Sequence, residues 1–151
     1  MQAARIYTTR RNDILLALCE VLKTIDGTGE FLSNLSERVF PTLKFWDEIE
    51  EYPSVHLSTG TEYREYQGGG YADRFLAVSI KIYVKEENSP LALDRIIEDI
   101  ETVLEENSQL SYFDKRGNVC KVHQISVSTI VTDEGILDPA GMADISIFVQ
   151  Y

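Results

Sequence analysis

The chain has two imidazoles, His56 and His123, and chemistry at neutral pH would be expected to start from them. His56 lies between Val55 and Leu57, and His123 follows Val122, so each falls inside a strand pattern. No second histidine or cysteine stands at metal-ligand spacing, and both read as surface or internally satisfied residues. Carboxylates are more plentiful, and pairs such as Glu62 with Glu65 or Asp133 with Glu134 could in principle divide acid and base roles. That work needs one carboxyl held in an apolar pocket to raise its pKa. These pairs fall on a hairpin and a loop, where solvation is the ordinary state. Gly68–Gly70 is not a dinucleotide fingerprint, because Asp73 takes the place of the last glycine and a strand follows. No His-Glu-x-x-His run, nucleophile elbow or phosphate loop is present. The reading is therefore no enzyme, with no catalytic residue, metal or cofactor assigned. The rival is a small enzyme or ligand-binding domain using Glu62 or Asp133 with His123.

Composition narrows the class further. At 151 residues, the chain is expected to form one domain, residues 1–151, with a hydrophobic fraction of 44% that suits a folded core. The formal net charge is −11, so the overall field does not hold nucleic acid. Excess carboxylate is first of all a solubility device. The less common alternative is a wall past which DNA moves without sticking. Cys19 and Cys120 give no disulfide framework and read as small core residues of a protein from a reducing compartment. No segment has the apolar length of a membrane span, and Arg5, Arg10 and Arg11 precede an interrupted amphipathic run rather than a signal peptide.

The elements that would position any site are clearer than the site itself. Leu76, Val78, Ile80, Ile82 and Val84 alternate with Ala77, Ser79, Lys81 and Tyr83, which predicts a one-faced strand. Ser89 is expected to cap a helix that opens on Pro90. That helix lines up Leu93, Ile96, Ile97, Ile100, Val103 and Leu104, with Asp94, Glu98, Asp99, Glu101 and Glu105 on the opposite, solvated face. An earlier helix starts near Thr8 to Asn12 and ends near Ile25, with Gly27 as its left-handed cap. A short strand is expected before Pro41. Residues 42–52 read as a loop carrying Phe45 and Trp46 beside Asp47, Glu48, Glu50 and Glu51. This mix could be a binding surface; the commoner case is an aromatic pair pinned to the core with an acidic rim. Residues 54–67 and the strand from Phe75 form a hairpin with a long polar tip at Gly68–Gly70, projecting as an arm. Residues 119–132 read as one long strand with a bulge near His123 or Gln124, and residues 143–151 as the last strand. The sum is an α+β domain: a mostly antiparallel sheet, two helices on one face and a protruding β-hairpin arm.

Several of these pieces, in this order, resemble the tail terminator proteins of long-tailed bacteriophages, the class that includes the lambda minor tail protein U. They are Tyr52-Pro53-Ser54-Val55-His56-Leu57 with Gly60-Thr61-Glu62, the hairpin arm, and the strand and helix on either side of Pro90. Ile130-Val131-Thr132-Asp133-Glu134-Gly135, the Pro139-Ala140-Gly141 turn and the final strand complete them. The resemblance implies a homo-oligomeric, hexameric ring on the head-proximal end of the tail tube. Such a ring stops tube polymerisation and offers the surface for head attachment. The implied partners are the tail tube protein and a head-completion or neck protein, with DNA only as the genome passing through the lumen. The implied location is the virion tail, after assembly in the host cytoplasm. A head-side neck or tail-completion protein of similar fold is the near alternative, and an adaptor binding through a strand edge a further one. Glu62, Tyr63, Arg64, Tyr66, Gly69 and Tyr71 on the hairpin, with Asp133, Glu134 and Asp138 on the late loop, are the expected contact residues. The Trp46 segment matches no pattern of the class and is given no role.

Overall fold

The computed structural model describes residues 9–151. The expected helix start at Thr8 lies just outside that range. Helix α1 (Arg10–Leu22) opens on Thr9, whose hydroxyl oxygen accepts from the Asn12 N–H at 3.1 Å. It ends three residues before the expected Ile25. Gly27 does take a positive φ of 78°, but in the turn beyond, where Asp26 bridges to Asn34. Strand β1 (Val39–Phe40) is followed by a 3-10 turn (Trp46–Glu48), then by the long hairpin β2 (Ser54–Tyr66) and β3 (Ala72–Lys85). Helix α2 (Ser89–Glu106), β4 (Ser111–Phe113), β5 (Val119–Lys121), β6 (Gln124–Thr132) and β7 (Ala140–Gln150) complete the chain. No helix among the described residues is long and apolar enough to cross a membrane.

The main sheet runs β1-β2-β3-β7-β6, antiparallel except for the parallel pair β1–β2. The period-two pattern fixes which face is buried. Val55, Leu57, Leu76, Val78, Ile80, Ile82, Ile145, Ile147 and Val149 all point under the helices and are buried. Helix α1 covers β2, and α2 covers β3 and β7, so both helices lie on one face. The domain is α+β, as its alternation predicts. Gly141 makes the close seating of α2 possible: a Cβ there would lie 2.9 Å from Val84 Cγ2 and 3.0 Å from Leu93 Cδ1.

Three expectations about local structure are corrected. Residues 119–132 are two strands in two sheets, because the chain leaves the β4–β5 ribbon at Val122 and His123 and enters the main sheet at Gln124. The register shift in β6 falls later, between Val127 and Thr129. Asp99 does not face solvent. It is buried and accepts from the Leu32 and Ser33 N–H groups at 2.8–3.0 Å and from Ser33 Oγ at 2.6 Å. The unassigned segment around Phe31 is thus tied to α2 by a carboxylate. Ser89 does not cap α2 with its own oxygen; its hydroxyl donates to Asp138 and to the Ala140 carbonyl.

Candidate functional site

The arm is built from the outer half of the hairpin. β2 and β3 stay paired from Glu62↔Leu76 to Tyr66↔Ala72, while β7 pairs with β3 only as far as Phe75↔Gln150. Residues 64–74 therefore project past the end of β7. The tip is a compact 3-10 turn, shorter than the expected long loop, closed by the Gln67 N–H to Tyr71 carbonyl bond at 2.8 Å. Gly69, at φ 83°, takes a conformation that a side chain would oppose. Tyr66 and Tyr71 flank this tip at 77% and 76% exposure. Tyr63 lies flat on Phe75 at 4.7 Å and meets the edge of Phe148 at 5.6 Å, which stiffens the arm base.

The carboxylates among the expected contact residues hold the fold internally. Glu62 is half-buried and accepts from the Tyr151 hydroxyl and from Arg64. Burial pushes its carboxyl up, but the hydrogen bonds from Tyr151 and Arg64 and the charges of Arg64 and Arg11 hold it below the ordinary range. Asp133 organises the late loop: its oxygens accept from the Leu137 N–H at 3.1 Å and the Met142 N–H at 3.2 Å. Glu134 takes a left-handed φ of 57° in the same turn. Asp138 accepts from the Ser89 N–H and Oγ at 2.9 and 2.8 Å, which lowers its pKa and places its charge at the N-terminus of α2. Among the described residues, His123 bonds neither Glu62 nor Asp133 through its side chain. Its backbone N–H donates to the Gln150 carbonyl.

Two further surfaces stand out: one was weighed from the sequence as a binding surface but given no role, and the other has no local sequence sign. The first is the loop over residues 41–52. Phe45 is 77% exposed and Trp46 48%, so the aromatic pair is not pinned to the core as expected. The loop backbone is what is held. The Thr42 carbonyl can only accept, so His56 Nδ1 donates to it at 2.8 Å, and His56 Nε2 accepts from Ser54 Oγ at 2.6 Å. Tyr83 Oη donates to the Lys44 carbonyl at 3.1 Å, and Arg38 pairs with Glu51. Phe40 stacks on His56 at 5.2 Å. Desolvation lowers the His56 pKa, the Thr42 bond partly opposes this, and the Lys44 charge lowers it again. Ser54 and His56 have the donor order of a nucleophile and base, but they are buried and serve to fasten this loop to β2.

The second is a cavity of about 710 Å³ at the arm base, lined by Arg10, Arg11, Arg64, Arg74, Lys115 and Arg116. Arg10 and Arg74 lie over the Tyr151 ring at 4.9 and 5.8 Å. Glu62 and Asp114 are the carboxylates in its wall. The arm, the loop and the cavity are thus exposed features held in shape by the hydrogen bonds and ring contacts of the sheet.

The comparisons with known proteins agree with that character. The family model described as bacteriophage tail tube terminator protein matches residues 8–151. The chain belongs to this family. It is 31% identical over 149 residues to the tail tube terminator protein p142 of Escherichia phage T5, covering 93% of this chain and 92% of that one. The family is one of structural tail proteins, not enzymes, so this member is a component of the virion tail. Among solved structures, a chain of the virion of a native gene transfer agent particle shares the fold. Its TM-score is 0.52 at 11% identity, over 93% of this chain and 90% of that one.

Proposed function

We propose that this terminator-family protein closes into a ring, hexameric as its resemblance implies, on the head-proximal end of the tail tube. There it ends tube polymerisation and provides the surface on which the head-completion or neck protein docks. Family membership carries the reading. The exposed margins support it. Strand β6 is a nine-residue edge strand with Val127, Ile130 and Val131 exposed, a surface that a solitary protein would protect. The arm offers Tyr66 and Tyr71 to a neighbouring ring or subunit, and the late loop around Glu134 offers a second contact. A face for the tube and a different face for the neck require head-to-tail contacts that close by rotation. The net charge of −11 suits a lumen through which the genome passes unbound. Assembly in the host cytoplasm follows from the same reading. Deleting the gene and imaging the particles is the test. Tails of uncontrolled length with unjoined heads are expected; tails of normal length lacking only their necks would reassign the protein to neck completion.

A further inference from the structure

Six of the fourteen lysines and arginines of this acidic chain line one cavity, that at the arm base. They come from three separate places: Arg10 and Arg11 from α1, Arg64 and Arg74 from the hairpin, Lys115 and Arg116 from the turn before β5. Arg74, Lys115 and Arg116 are in no ion pair among those formed by the described residues. Gathering like charges this way is unfavourable in the free protein, and an anionic occupant would relieve it. At the opposite end of β2 stands the Trp46 loop, which exposes Asp47, Glu48 and Glu50 beside Phe45 and Trp46. It is held in one shape by His56, Tyr83 and the Arg38–Glu51 pair. The loop adjoins Ser54 and the cavity adjoins Arg64, ten residues apart on a continuous strand. The two features are therefore separated by roughly 30 Å of rigid sheet. A loop so placed does not reach the cavity of its own chain.

We propose that the cavity is a socket for the Trp46 loop of an adjacent copy, making this the charged contact that orders subunits within the ring. The inference rests on the ring reading above. Charge complementarity selects the occupant. The loop brings three free carboxylates to a cationic socket, and its aromatic pair meets a socket whose floor is the Tyr151 ring with two guanidiniums over it. A cavity of this volume admits the tip of a loop rather than the body of a duplex. The contact joins two different patches, so it is head-to-tail and gives subunits a fixed direction around the ring.

The test is a mixing experiment in a Cys120→Ser background. Cys19 can remain, because it is buried and its thiol is pushed up to about 11 by desolvation. Asp47→Cys and Lys115→Cys are placed in separate preparations, oxidised alone or mixed, and resolved without reductant. A covalent dimer from the mixture, absent from either preparation alone, is expected. Adding Glu48→Arg and Glu50→Arg to the loop should lower its yield by roughly tenfold, and restoring complementarity with Arg74→Glu and Arg116→Glu should recover it. Rings seen by electron microscopy with no dimer from the mixture would overturn the socket alone. A protein that stays monomeric at every concentration and on tails would overturn the ring reading with it. Retention of double-stranded DNA that disappears with Arg74→Glu and Arg116→Glu, while the cross-link is unchanged, would give the cavity to phosphate instead.

Discussion

The helix-covered face of the sheet and its margins are made of the same residue types used in opposite ways. Under the helices, Leu57, Ile80, Ile100 and Ile145 are fully enclosed, and the buried carboxylate of Asp99 has its oxygens filled by the Leu32 and Ser33 donors. At the margins, Phe45, Trp46, Tyr66, Tyr71 and Val131 face outward on backbone that internal hydrogen bonds hold in place. The first region spends apolar area on folding. The second leaves it exposed, as the proposed ring contacts would require. A virion component needs both: a subunit that folds before it meets its partners, and surfaces already shaped when it does.

The sharpest way to break that contrast is to substitute on each side and measure unfolding by denaturant. Ile100→Ala leaves a cavity in the core that α2 packs on and should cost about 2–5 kcal/mol, whereas Tyr66→Ala or Tyr71→Ala should change stability by about 0.5 kcal/mol or less while weakening assembly. Asp99→Ala removes the acceptor for three donors and should cost about 1–3 kcal/mol, with Asp99→Asn recovering part of it because one acceptor oxygen remains. Gly141→Ala forces a Cβ against Val84 and Leu93 and should cost about 1–3 kcal/mol, readable as a lower denaturation midpoint.

The smallest effect is one of pH and separates the Trp46 loop from the rest. His56 is kept neutral by burial, so its folded pKa lies below the ordinary 6.5. The unfolded chain then takes up the proton first. Stability should be full above that value and fall as pH drops from about 6.5 toward the folded pKa. His56→Gln should flatten this part of the profile. The Asp138 carboxyl is also depressed, by Ser89, so its contribution is present above the ordinary carboxylate pKa and is lost only in acid below it. The two groups therefore act in separable windows of a pH-dependent melting series.

What could be read from the residues alone was what is local and periodic. The alternation of β3 and β7 and the apolar stripe of α2 each fix a face without reference to anything distant, and the architecture follows. The division of residues 119–132 was hidden because Val119 through Thr132 stay β-prone across the switch, and only the pairing with Tyr112 or with Val149 says which sheet each half joins. Asp99 looked solvated because its partners lie 66 and 67 residues away. The cationic cavity was invisible for the same reason, since α1, the arm and the turn after β4 meet only in the fold. The exposure of Trp46 had a local sign, the acidic residues around it, but the buried His56 that fastens the loop did not. Tyr66, at the end of the alternating run, and Tyr71, just past the three glycines, both lie exposed at the end of the projecting ribbon.

The central claim is that this subunit works by capping a growing cylinder. The most direct measurement is the length of tail tubes polymerising from purified tube protein, followed by electron microscopy after this protein is added part-way through. Lengths should stop increasing on addition, with ring density at one end of each tube. Tubes that keep lengthening at the unperturbed rate with the protein in excess, and bare at both ends, would contradict the account.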